Sequence, residues 1–166
     1  WAEMSNMKYK QSKGKDLYRR GLYTIWKRTV APPSLAILDA ADRENCIVRP
    51  KLTNTPLQAL TLLNETTFVE AARHLAVRMR KEGGNDPIAF AFRMVTARYP
   101  TDVQRTLLKR ARKTYRSEFA ASPQNATKLL ATGESALPDG IDSIELAADT
   151  MLCNVLLNLD EVVTKE

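Results

Sequence analysis

The chain has 166 residues, 44% of them hydrophobic and 27% charged, with a formal net charge of +6. That is one domain's worth of sequence with the composition of a soluble globular protein, long enough to bury a real core. No apolar run approaches the roughly 18 residues that cross a bilayer, and the two cysteines, Cys46 and Cys153, lack the spacing of a zinc site, an attached haem or a disulfide framework.

The charge is unevenly spread. Residues 1–122 carry 23 Lys and Arg against 11 Asp and Glu, whereas residues 123–166 carry 2 against 8. A basic body and an acidic tail predict an intramolecular electrostatic clasp, with a basic surface offered to an anionic partner as the second reading. A bridge between Cys46 and Cys153 stays open, although isolated cysteines more commonly behave as small buried hydrophobes.

In chain order, residues 1–15 (WAEMSNMKYKQSKGK) are polar, Lys-rich and aperiodic, and read as a linker or flexible arm. Residues 16–166 read as a single helical domain. The opening Trp1-Ala2-Glu3, without initiator Met or signal peptide, suggests a fragment of a larger multidomain protein. From Asp16, an N-cap candidate, Leu17, Tyr18, Leu22, Ile25 and Trp26 recur at helical spacing and predict an amphipathic helix. Arg19, Arg20, Lys27 and Arg28 fall beside or opposite that face, as a solvated edge or as an Arg/aromatic surface with Trp26 for an anion or sugar.

Pro32 and Pro33 end that helix, and Ser34 caps a short turn through Leu38. Then Asp39, Asp42 and Glu44 place three carboxylates within six residues. Clustered carboxylates suit general acid/base chemistry or a hard cation. The spacing is not that of a calcium loop, which needs Gly at the turn and a closing Glu. With Arg43 and Arg49 close in sequence, an internal salt-bridge and capping network is preferred over a metal or catalytic site, and no metal site is assigned.

Thr55-Pro56-Leu57-Gln58 is a capping box with Pro at the first helical position. Asn64-Glu65-Thr66-Thr67 is where that helix stops or restarts. Phe68, Ala72, Leu75, Ala76 and Met79 then form one apolar stripe to Arg80, closed by Gly83-Gly84. The lone histidine, His74, stands four residues after Glu70 and reads as half of a Glu/His surface pair. Asp86-Pro87 starts a helix whose apolar face is Ile88, Ala91, Phe92, Val95 and Tyr99, ending before Pro100.

Thr101-Asp102-Val103-Gln104 is a second capping box. It opens a helix with Val103, Leu107, Leu108, Ala111 and Phe119 on one face and a basic ridge, Arg105, Lys109, Arg112 and Arg116, on the other. The ridge is an anion-binding candidate, widened by Arg110 and Lys113. No nucleic-acid module accompanies it, so nucleic acid is disfavoured. Ser122-Pro123 restarts a short helix ending at Gly133, the loop from Glu134 to Gly140 is turn chemistry, and Asp142 caps a helix so apolar that it reads as central.

Several blocks stand together: LYRRGLYTIWKRTVAPPS, DAADRENC, TNTPLQALTLLN, FVEAAR and LLNLDEVVTKE. They resemble the C-terminal portion of a planctomycete-type domain of unknown function, number 1553. The resemblance implies a large exported, periplasmic-type protein in which this domain follows a second uncharacterised domain and often a cytochrome-c-like one. It implies no reaction for this segment. Ala31, Ala41 and Val162 depart from the family pattern, the first two by replacing prolines of the proline-punctuated strap from Leu17 to Asn64.

The expected fold is therefore all-α, an irregular multi-helix bundle of about five to seven helices with a long proline-punctuated N-terminal segment. The expected role is a non-catalytic accessory module with no cofactor, docking through Leu17 to Asn64 onto upstream domains of its parent chain. Two alternatives stay open. One is a share in an enzyme site for acidic or sulfated polysaccharide, with Arg19, Arg20, Trp26, Arg28, Asp39, Asp42, Arg43, Glu44, Arg49 and Asn54 as ligand-binding candidates. The other is polyanion or nucleic-acid binding through the basic helix at 102–121.

Overall fold

A computed structural model of the chain describes residues 9–27, 30–41, 46, 48, 53–137 and 140–164. Among them are eight α-helices, six of seven residues or more, and no strand: the fold is all-α and multi-helical. The chain groups into two compact units, Trp1–Thr61 and Leu62–Glu166.

The first unit contains little regular structure. Its described elements are two 3-10 turns, Gly14–Tyr18 and Gly21–Tyr23, and a short helix α1 (Pro33–Ile37). Most of α2 (Pro56–Asn64) also belongs to it. The amphipathic helix expected from Asp16 to Trp26 is not formed. Arg19 and Arg20 are extended, at φ −72°, ψ 143° and φ −61°, ψ 148°, and split the segment into two turns. Gly21 inside the run weakens a helix by about 1 kcal/mol relative to Ala, and a helix this short depends on tertiary packing of its apolar face. That packing is missing, because Leu22 is 81% and Ile25 74% exposed.

Side-chain hydrogen bonds organise the unit instead. The Tyr9 hydroxyl donates to the Val30 carbonyl at 2.5 Å and accepts from the Lys27 amide at 2.9 Å, while Lys27 Nζ lies 5.2 Å from the Tyr9 ring centroid. Within the stretch read as a linker or flexible arm, Tyr9 is thus held by two hydrogen bonds. Pro32 and Pro33 start α1 rather than merely ending a helix, with Pro33 at the first position, where a missing amide costs nothing.

The second unit contains α3 (Thr66–Glu82), α4 (Pro87–Thr96), α5 (Asp102–Ala121), α6 (Pro123–Leu130), α7 (Ser143–Leu157) and α8 (Asp160–Val163). Between α2 and α3 the chain is extended at Glu65, whose carboxylate accepts from the Thr67 and Phe68 amides at 2.8 and 3.3 Å. It caps α3 in place of a Ser or Thr. Asp86 caps α4, and Thr101 and Gln104 exchange both hydrogen bonds of a capping box at α5.

Helix α7 is central. It packs against α3, α4, α5 and α6, and nine of its fifteen residues are buried, as expected for a helix interrupted by so little surface charge. Ala72, Ala76 and Met79 of α3, Phe92 of α4, Leu130 of α6 and Leu146 and Leu156 of α7 share one core. The small residues let the helices approach closely, while each fully buried large side chain contributes about 1.5–3 kcal/mol by leaving water.

Two helices differ from the reading of their periodicity. Helix α4 stops at Thr96 because Ala97 turns left-handed, φ 61°, so Tyr99 leaves the apolar face and accepts a hydrogen bond from Arg93 Nη1 at 2.8 Å. Helix α5 is turned about its axis. Leu108, Ala111, Arg112, Tyr115 and Phe119 are half-buried, and Val103 and Leu107, expected in the core, are exposed.

Candidate functional site

In the first unit the carboxylate cluster is described only at Asp39. Arg28, Asp42, Arg43, Glu44 and Arg49 lie outside the described residues. Asp39 adopts φ 58°, a left-handed conformation that Asp tolerates better than most residues. Its Oδ2 accepts from the Thr53 amide at 3.0 Å, from the Thr53 hydroxyl, and from Gln58 Nε2 at 2.9 Å. Gln58 has a double role. Its Oε1 accepts from the Thr55 amide at 2.9 Å, and its own amide donates to Thr55 Oγ1 at 3.2 Å. The capping box that starts α2 thus also tethers Asp39, and this carboxylate is engaged in holding the strap.

The other ligand candidates of this unit are dispersed. Arg19 pairs with Asp16 at 2.8 Å on the surface, Arg20 and Asn54 are exposed, and Trp26 is half-buried.

In the second unit the basic ridge of α5 meets carboxylates of α7. The buried Asp149 accepts from Arg80 Nε of α3 and from Arg112 Nε and Nη2 of α5. One turn earlier, Glu145 accepts from Arg80 Nη2 at 3.0 Å and pairs with Arg112 Nη2 at 3.4 Å and with Arg116 Nε. The Asp149 hydrogen bond is the main reason the Arg112 guanidinium is held above its ordinary value. Arg105 pairs with Asp86 at 2.8 Å. Of the four anion-binding candidates, three are therefore joined to this chain's own acids, and Lys109 is exposed with no acidic partner among the described residues. Arg98 and Glu161 add another basic-to-acidic link, at 2.7 Å, so the clasp predicted from the charge asymmetry takes the form of discrete pairs.

A third polar group was not legible. Glu70 and Arg73 of α3 are both buried and pair at 3.2 Å. Arg73 also donates to the Leu130 carbonyl and to the Ser135 carbonyl and hydroxyl, while Glu70 accepts from the Ser135 amide at 2.6 Å. The expected Glu70–His74 pair does not form. His74 instead meets Ser135 Oγ at 2.9 Å, because a buried carboxylate needs a cation and the forked Arg73 supplies one with donors to spare for the loop carbonyls. The spacing of Glu70 and Arg73 beside Val69 and Ala72 was the available signal.

The loop is fitted closely to this pair. Gly133 has φ +96°, and a Cβ there would lie 2.4 Å from the Glu70 carboxyl carbon. The Ser135–His74 contact has the distance of a nucleophile and base, yet Ser135 Oγ also receives Arg73 Nη2 at 2.5 Å and Glu70 directs its carboxylate to Arg73 and the loop amide rather than to the imidazole. This is the chemistry of a loop anchor.

Both cysteines are free thiols, Cys46 exposed and Cys153 buried. Burial pushes the Cys153 thiol far up, with Asp149 adding to the shift, so it stays neutral and is no nucleophile. Among the described residues, no three His, Cys, Asp or Glu side chains are placed to hold a metal ion, and no helix is long and apolar enough to cross a membrane.

Comparison with known families matches the chain to the family described as PSD1, protein of unknown function (DUF1553), over residues 2–111. No curated protein and no solved structure matches the chain.

Proposed function

We propose that this chain, which belongs to the PSD1 family of proteins of unknown function (DUF1553), is a non-catalytic helical module of a larger exported protein that docks another domain of that protein through the segment from Leu17 to Asn64. One observation supports the reading above the others. Tyr18, Leu22, Tyr23 and Ile25 are large apolar side chains, all exposed, in a segment whose described hydrogen bonds hold it in shape without covering them. Scattered exposed hydrophobes are ordinary; four within eight residues are what a binding segment offers.

The charged groups are consistent with this. Asp39, a candidate of the polysaccharide reading, is engaged by Thr53 and Gln58, and Arg112 and Arg116, candidates of the polyanion reading, pair with Asp149 and Glu145, which supports a structural role for these groups.

Hydrogen–deuterium exchange of amides 17–26, in this chain alone and in the full-length parent, tests the proposal. Protection confined to the parent, removed by Leu22→Asp with Ile25→Asp, is the expected result. Equal exchange in both, or turnover of sulfated or uronic-acid oligosaccharides by this chain, overturns it.

A further inference from the structure

Helix α5 carries two sets of cations. Arg105, Arg112 and Arg116 face carboxylates of α7 or the cap of α4. Lys109, Arg110 and Lys113 are exposed and have no acidic partner among the described residues. Next to the second set are Val103 and Leu107, one turn apart and 70% and 59% exposed. Helical geometry puts Arg110 beside this apolar pair, with Lys113 and Lys109 successively further round the same outer face.

The orientation has a cause. Asp149 is fully buried and needs a cation; Arg112 reaches it only when α5 is turned so that Val103 and Leu107 point out. The helix therefore gives up two apolar contacts with its own core. What remains outside is a short apolar strip with a cationic flank. A plain polyanion would use the cations alone, whereas the strip adds surface that only an apolar group covers favourably.

We infer that the outer face of α5 docks an acidic amphipathic helix of a protein partner, with the partner's apolar residues on Val103 and Leu107 and its carboxylates on Arg110, Lys113 and Lys109. The surface lies entirely in the second unit and is distinct from the segment proposed above, so either can fail without the other.

The test titrates the full chain with a synthetic peptide carrying leucines along one helical face and glutamates on the other, and in parallel with polyglutamate and heparin. The expected result is saturable, salt-sensitive peptide binding, weakened about tenfold by Leu107→Ser and by Arg110→Glu, with the thermal midpoint of Leu107→Ser unchanged because the side chain is exposed. Three results overturn the inference: no saturable peptide binding; polyglutamate or heparin bound as tightly as the peptide and indifferent to Leu107→Ser; or a midpoint for Leu107→Ser lowered by several degrees, which would make Leu107 a packing residue.

Discussion

The two units solve the same problem by opposite means. Residues 62–166 bury Phe92, Met79, Leu152 and Leu156 fully and also bury charges, each matched by an opposite one. Residues 1–61 leave Leu22 and Ile25 in water and are shaped by individual hydrogen bonds at Tyr9, Asp39 and Gln58. The difference teaches that an apolar period is not enough to form a helix. In the second unit the apolar faces of α3, α4, α6 and α7 meet in one core; in the first, Leu22 and Ile25 of the stripe from Leu17 to Trp26 stay in water, and two turns separated by extended arginines take its place.

The sharpest way to break the contrast is to empty the second unit's core. Phe92→Ala is expected to lose about 3–5 kcal/mol by urea unfolding, and a loss below about 1 kcal/mol would mean that this core is no better packed than the strap. Asp149→Ala comes next, at about 3 kcal/mol, because Arg80 and Arg112 keep their charges but lose the buried one of their two shared acceptors; a neutral outcome would show that water screens the network.

Gly133→Ala should cost about 2 kcal/mol, combining a left-handed alanine with a clash against the buried Glu70 carboxylate. Gly140→Ala serves as its control: φ is +75° there but nothing lies within 4 Å, so only the conformational part, about 1 kcal/mol, is expected. Equal losses would remove the clash from the account.

In the first unit Leu22→Ser is expected to change global stability by less than about 0.5 kcal/mol, and a larger loss would place Leu22 in a core after all. The smallest effect belongs to the exposed Arg78–Glu82 pair. The Arg78 hydrogen bond holds Glu82 below its ordinary value of 4.5. The pair's contribution is thus present above that value and is lost as acid takes the pH down through the lowered folded value. Comparing the chain with Glu82→Gln across that window should show the two unfolding midpoints converging at the acid end.

Much of the fold was legible because its signals are local. The capping boxes at Thr55 and Thr101 each need only a side chain and an amide three residues on, and both form. Prolines 56, 87 and 123 open α2, α4 and α6, where the chain gives up an amide that a helix start leaves unpaired anyway. The candidate site was less legible. Arg105, Arg112 and Arg116 stand out as a ridge whether they face solvent, a phosphate or Asp149, and nothing within α5 distinguishes these.

By itself, then, the sequence determined an all-α chain, where most of its longer helices begin, and that the helix from Ser143 to Leu157 is central, since these follow from contacts within a turn or from a helix with little surface charge. Only the tertiary structure decided that Leu17 to Trp26 is not a helix, that α5 presents Arg112 inward and Leu107 outward, and that Glu70 answers to Arg73 and a distant loop. Each of those turns on whether a partner dozens of residues away is present, and burial makes that partner matter: a charge or an apolar side chain out of water is stable only against the right neighbour.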